Sequence, residues 1–364
     1  MSKKVYISAV NVKTTDISCL DDLQSFILND EQIQLEEINV SKENIFLGEK
    51  IKMDSSSEFY PSKSNEKVMR AEVIASAICV GDILKSLNIP EHELLNIPLY
   101  ISSGNFFERQ EGDMDWFSKV IDASFTLDKI EEKNKRFNQL VPPLISLRTL
   151  TNSASSFVAQ ICKLAGNNTT FGNTSQSAFW ALKQAFQNIQ YGKSEYSVVG
   201  GANRGGLSSY FMFKGFTNSN TKWKELACAS FLVLESEESL RKNNRIPLCE
   251  LTVFNSTENI PDLITSQKEP AFHEFKSISS ESDLCVFGGA FRNSDYLEDK
   301  KNADLIWKNT YSLFPNIGNF GAAGLFMNIA TAIVFFKEEK YKTIDCADRD
   351  AYKRDSMVRL KNIY

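Results

Sequence analysis

The chain has 364 residues, 42% of them apolar and 24% charged, with a formal charge of −5 at pH 7. This is the make-up of a globular chain with a large core, and the mild acidic balance argues against nucleic acid as a partner. Seven scattered cysteines without a CxxC pair argue against a zinc site or a disulfide framework, and read as small buried hydrophobes.

The opening MSKKVYISAV lacks the pattern of a signal peptide and predicts a strand over 5–12, so the expected location is the cytoplasm. Residues 42–66 are rich in Ser, Lys, Glu and Asn and predict a long surface connection. Residues 68–87 have helical apolar spacing, and Pro90 closes that region. A short strand over 97–102 runs into a turn at Gly104, and 112–139 reads as a polar helix. Next come an apolar-periodic segment over 152–165, a turn over 166–168, a β-prone stretch over 169–174 and a helix over 177–191. The strand over 196–199 ends in Gly200-Gly201, and buried strands follow at 227–234 and 248–254. The last third predicts a strand over 284–287 before Gly288-Gly289, a helix over 295–311 and the turn IGNFGAAG at 317–324. The apolar stretch 321–336, interrupted by Asn328 and Thr331, is short for a membrane span and reads as a buried helix; the tail from 344 is charged. Strands alternating with helices indicate an α/β fold with mixed, buried sheets.

Two histidines, His92 and His273, are the only ones in the chain. Histidine is the commonest general base near neutral pH, so ordinary acid–base catalysis has few candidates here.

The segment NSASSFVAQICKLAGNNTTFGNTSQSAFWALKQAFQNIQYGKSEYSVVGGAN (152–203) resembles the core of the β-ketoacyl synthases, with Gly192 and Gly200-Gly201 in register. KKVYISAV resembles that family's opening strand, ASFLVLESEESLRKNNRIPLCELTVF its central join, and GNFGAAG the glycine-rich turn that normally carries a catalytic histidine. The resemblance spans most of the chain and is strongest over 140–254 and 317–336. It implies a thiolase-like fold: two pseudo-duplicated α/β halves, 1–245 and a shortened 246–364, packed as a five-layered αβαβα core.

The family condenses acyl chains with a cysteine thiolate, activated at a helix N-terminus, and two histidines. By register the cysteine position holds Ser175, followed by Gln176. The two histidine columns fall on Gly289 and Gly318, and the expected lysine is nearest to Leu313, with Lys308 out of register. A serine hydroxyl needs an adjacent base to act as a nucleophile. The resemblance therefore implies a catalytically disabled member with no independent activity and no metal or directly bound cofactor.

Degenerate members of this family pair with an active ketosynthase as chain-length factors, where they close the far end of the acyl tunnel. The implied partners are that ketosynthase and an acyl carrier protein, whose phosphopantetheine serves the partner subunit; neither nucleic acid nor a membrane is implied. Leu144, Ile145, Thr149 and Leu150 are the candidates for the tunnel end, and Thr169, Thr170, Phe171, Gly172 and Asn173 for the strand that pairs across the dimer axis. Phe179 and Trp180 read first as core, with plugging of a vestigial pocket as the alternative. The typical chain-length factor has glutamine in place of the cysteine; here glutamine comes one residue later. A degenerate partner in aryl-polyene synthesis, an acyltransferase using Ser175, a malonyl-carrier decarboxylase using Gln176 and a homodimeric scaffold remain the alternatives.

Overall fold

The computed structural model describes residues 3–41, 44–49, 54–104, 129–140, 152–172, 176–203, 223–257, 272–350 and 354–363. Its first half contains β1 (Val5–Lys13), α1 (Leu20–Leu28), β2 (Glu36–Ser41), β3 (Asn44–Glu49), α2 (Ala71–Ser86), β4 (Leu99–Ser103), α3 (Ile130–Leu140), α4 (Ser153–Ile161), β5 (Asn168–Gly172), α5 (Gln176–Gln190), β6 (Tyr196–Asn203), β7 (Trp223–Leu226) and β8 (Cys228–Ser236). Then come α6 (Glu237–Lys242), β9 (Cys249–Ser256), β10 (Leu284–Gly288), α7 (Asn293–Ile306), β11 (Thr310–Tyr311), α8 (Gly324–Lys337), β12 (Thr343–Arg349) and β13 (Asp355–Lys361).

Ten strands form one hydrogen-bonded sheet in the order β11-β10-β12-β13-β9-β1-β8-β6-β4-β5. In the first half β1, β6, β4 and β5 run in one direction and β8 runs against them. In the second half β9, β12, β10 and β11 run together and β13 opposes them. The two sets thus share strand order and direction, which is the duplicated topology expected. A three-residue antiparallel contact, Val5–Ile7 of β1 with Leu251, Glu250 and Cys249 of β9, joins them.

The strands bury both faces, and the side-chain period of two sorts them between cores. Leu99, Ile101, Phe231 and Val233 face an outer core with α2 and α4, while Tyr100, Leu232 and Leu234 face a central one. In the second half Leu284, Val286, Ile344 and Cys346 face the same central core, and Cys285, Phe287 and Ala347 face an outer core closed by Ala303 and Trp307 at the end of α7. α8 is buried all round, from Gly324 to Val334, as an apolar helix without a polar face must be. It lies with α5 between the two strand sets. Layers of α2/α4, strands, α5/α8, strands and α7 give the five-layered αβαβα core. Among the described residues no helix is long and apolar enough to cross a membrane.

Three expectations need correction. Part of the predicted surface connection is β3, which pairs with β2 and β7 in a separate three-stranded sheet; its short NIFLGE run is flanked by charged residues that mask the pattern. The helix expected to reach residue 311 ends at Ile306, because Thr310 and Tyr311 pair with β10. The charged tail is in fact β12 and β13, two interior strands. Their charges are neutralised in place: Arg359 Nε donates to Asp345 Oδ1 at 2.8 Å and its Nη1 to Glu281 Oε2 at 2.7 Å, while Trp307 Nε1 donates to Asp345 Oδ2 at 2.9 Å. Pairing and hydrogen bonding are what permit charged groups inside a core.

Candidate functional site

The segments singled out by sequence converge where β6, α5 and the turn before α8 meet. β6 is buried throughout and ends in Gly200, Gly201, Ala202 and Asn203. The 3-10 turn Gly321–Ala323 packs against it and leads into α8. α5 starts at Gln176 beside the end of β4, where the Ser177 and Ser102 hydroxyl oxygens are 2.5 Å apart. Such a helix start presents unsatisfied backbone N–H groups and a partial positive charge, suited to an oxygen acceptor.

Gln176 is 5% exposed, and its Nε2 has no hydrogen-bond acceptor among the described residues. A buried amide donor without an acceptor is costly, of order 1–3 kcal/mol, so this group is available to a carbonyl oxygen that reaches it. Ser175 and Asn173 lie outside the described residues, as do Leu144, Ile145, Thr149 and Leu150.

Gly289 and Gly318 are brought into one neighbourhood. Asn319 Nδ2 donates to the Ala290 carbonyl at 2.8 Å, so the loop after β10 is tied to the turn before α8. Asn319 is otherwise fully used: its N–H donates to the Lys224 carbonyl at 3.0 Å, its carbonyl accepts from Leu226 N–H at 2.8 Å, and its Oδ1 accepts from Gly321 N–H at 2.5 Å. Both glycines have positive φ, +107° at Gly289 and +105° at Gly318. A Cβ on Gly289 would stand 2.0 Å from the Arg349 carbonyl oxygen, and one on Gly318 would stand 3.0 Å from Lys224 Cβ. Backbone sterics exclude a side chain at the first position and strain one at the second.

The remaining lining is amide and carboxylate. Asn203 Nδ2 donates to Glu225 Oε1 at 2.9 Å and to the Leu226 carbonyl at 3.3 Å. Asn328 Nδ2 donates to the Ala347 carbonyl at 2.9 Å, and the Asp348 carboxylate lies against Gly288 and Gly324 at the start of α8. Sequence reading missed Asn203, Glu225, Asn319 and Asp348. For Asn328 and Thr331 a signal existed, since they interrupt an apolar stretch; Thr331 caps nothing but its own helix, donating to the Met327 carbonyl at 2.8 Å.

The one thiol beside this site is that of Cys228, buried opposite Asn203 and donating to the Phe320 carbonyl at 3.8 Å. Cys79, Cys162, Cys249, Cys285 and Cys346 are buried, and burial raises each thiol's pKa, that of Cys162 to about 12. Leu313, nearest to the lysine column, is a buried core residue. His92, in the short helix Glu91–Leu94, and His273, at the start of a 3-10 turn, are exposed on other elements. Among the described residues no group of three His, Cys, Asp or Glu side chains is arranged to hold a metal ion. Phe179 is core, but Trp180 is 48% exposed, with Lys183 Nζ 5.0 Å from its ring centroid, so it plugs no internal pocket. β5, which holds Thr169 to Gly172, is the last strand of the sheet and pairs only with β4 among the described residues.

Comparison with known proteins agrees with this fold. Residues 97–231 match the family model "Beta-ketoacyl synthase, N-terminal domain". No curated protein sequence matches the chain. Among solved structures, a beta-ketoacyl synthase from Burkholderia phymatum STM815 superposes with a TM-score of 0.77 at 11% identity, covering 100% of both chains. The ishigamide ketosynthase/chain length factor gives a TM-score of 0.70 at 11% identity, again over 100% of both chains. A complex described as a type II PKS acyl-carrier protein with its ketosynthase bound to the hexaketide gives 0.70 at 14% identity, covering 100% of this chain and of that one. Residues 97–231 are thus similar to the beta-ketoacyl synthase N-terminal domain, and the described residues have the fold of these ketosynthase structures.

Proposed function

We propose that this chain is a chain-length-factor type of subunit, a catalytically inactive ketosynthase-like protein that pairs with an active ketosynthase and limits the chain grown on an acyl carrier protein. The observation that carries the reading is the backbone at the two histidine columns, which excludes a side chain at Gly289 and strains one at Gly318, together with serine at position 175. The edge position of β5 among the described residues supports a partner that continues the sheet, because a strand edge is a template for pairing. Solved structures of the same fold include a ketosynthase/chain length factor and a ketosynthase with its acyl-carrier protein. In this reading Leu144, Ile145, Thr149 and Leu150 close the partner's acyl tunnel, and phosphopantetheine enters through the partner. Native mass spectrometry of the complex captured through this chain tests it. A 1:1 assembly with a ketosynthase that keeps its Cys–His–His set is the expected result; a homodimer or a monomer overturns it.

Gln176 favours a second reading, a malonyl-carrier decarboxylase. Its buried, acceptor-less amide at the start of α5 could polarise a thioester carbonyl, so that the malonyl group loses carbon dioxide and the enolate takes a proton from water to give the acetyl thioester. Conversion of malonyl-carrier to acetyl-carrier by the isolated chain, lost in Gln176→Leu, would favour it over the first reading.

A further inference from the structure

Away from that site, three buried charged side chains meet where α7 lies on the β12–β13 hairpin. Asp299 is in the middle of α7, Arg349 ends β12 and Asp355 begins β13; they are 6%, 9% and 4% exposed. Arg349 Nη1 is 3.5 Å from Asp299 Oδ1, and its Nε is 3.4 Å from Asp355 Oδ1. The Phe272 N–H donates to Asp355 Oδ2 at 2.7 Å. Phe272, Phe275, Phe287, Trp307 and Met357 form the apolar core alongside.

Other charges acting on the pair are acidic: Asp295 and Glu298 on α7, Glu274 on the 3-10 turn 273–275, and Asp350 on the hairpin. Asp295 is bound by Arg292 and Asp350 by Arg354. His273 and Lys276 of the neighbouring turn are exposed, and Lys300 is engaged with Asp304. Among the described residues one guanidinium therefore faces two carboxylates in an apolar wall. Burial favours the neutral form of an acid, and a second carboxylate nearby adds to that preference.

We propose that Asp299, Arg349 and Asp355 form an acid-closed clasp that holds α7 on the hairpin while the carboxyl pair keeps a proton and loosens it when that proton is lost as the solution passes through neutrality. The electrostatics agree. Burial first, opposed by Arg349, pushes the Asp299 carboxyl up to about 7 and that of Asp355 up to about 6. Both closed-state values lie above the ordinary 3.8, so the contribution of each acid to closure is full below the ordinary value and is lost as pH rises through its closed-state value. The clasp has a route to the candidate site. The backbone of Arg349 lies against Gly289, whose neighbour Ala290 accepts the hydrogen bond of Asn319.

Hydrogen exchange of the full chain, read by mass spectrometry on peptides from α7 and β13 at pH 6.0 and 8.5 and corrected for the intrinsic pH dependence, tests the clasp. With Asp299 near 7, opening should rise about tenfold between the two conditions, since each pH unit gained by the open form is a factor of ten until the closed form also ionises. Asp299→Asn should lose most of that rise, and Asp304→Asn, half-exposed on the same helix and bound to Lys300, should keep it. Equal corrected rates at the two pH values, or an undiminished rise in Asp299→Asn, would overturn the clasp. The infrared spectrum of the unmutated chain gives a second test that needs no variant: a protonated carboxyl band present at pH 6.0 and gone at pH 8.5 is expected, and its absence at pH 6.0 overturns the proposal.

Discussion

Replacing Gly289 by alanine tests whether the first histidine column can hold any side chain. Gly289 sits at φ +107°, and an added Cβ would lie 2.0, 2.6 and 2.7 Å from the O, N and C atoms of Arg349. All three are backbone atoms of an interior strand, so no flexible side chain can give way. A non-glycine residue held in so unfavourable a region costs about 1–3 kcal/mol. Forcing extra volume into a packed site costs a further 1–3 kcal/mol or so. Gly289→Ala should therefore lose about 2–6 kcal/mol of stability. Gly192→Ala is the matched control, because Gly192 also has positive φ (+68°) but its nearest neighbours are Lys3 Cε at 3.7 Å and Nζ at 3.9 Å. It should lose only the conformational cost, about 1–2 kcal/mol. Urea unfolding of both variants at one protein concentration reads the difference. If Gly289→Ala falls no further than Gly192→Ala, the backbone of Arg349 yields freely, and the exclusion of a catalytic side chain fails with it.

Arg359→Met should destabilise the chain by about 3–5 kcal/mol, because Asp345, fully buried, loses its guanidinium. Adding Asp345→Asn should recover part of that loss in the same denaturation assay. Of the seven thiols, only partly exposed Cys19 should react with a soluble disulfide reagent under native conditions, and all seven should react in denaturant; counting released thiolate decides it. Gln176→Leu should hold stability within about 1 kcal/mol or raise it, since it removes a buried donor that has no acceptor. A fall of several kcal/mol in its thermal or urea unfolding would mean that the amide is structurally bonded after all.

Most of the architecture was legible because its cues are local. Periodicity placed α2 and α5, a glycine pair marked the end of β10, and the apolar stretch 321–336 marked α8; the strand expected to stop before Gly200 runs on to Asn203. The charged tail was misread because charge density is a poor guide when the charges neutralise one another. Asp345 and Arg359 are 14 residues apart, and only the register of β12 against β13 sets them face to face. The site was half legible for a similar reason. The missing thiol and histidines could be read from motif columns, and the crowding at Gly289 could not, because it comes from Arg349, 60 residues later. Asn319 was hidden inside a glycine-rich motif whose glycines drew the attention, although it makes the bonds that hold the two loops together. Trp180 was misassigned because Ala178–Leu182 reads as uniformly apolar in sequence, while the helix turns that one ring outward.

The antiparallel strand in each half has a consequence for synthesis on the ribosome. β1 and β6 are both completed by β8, so the first strand made has no partner within its half until residues 228–236 have emerged. From then on the first half can close on itself. β9 meets its own counterpart only in β13, the last strand, so the second half must wait for nearly the whole chain. Until residues 324–337 are made, the first half's inner layer, with α5 on it, has no α8 to cover it. A nascent chain stalled before residue 324 would present that uncovered surface, which makes the interval between β8 and α8 the stretch of translation at which a chaperone has the most to bind.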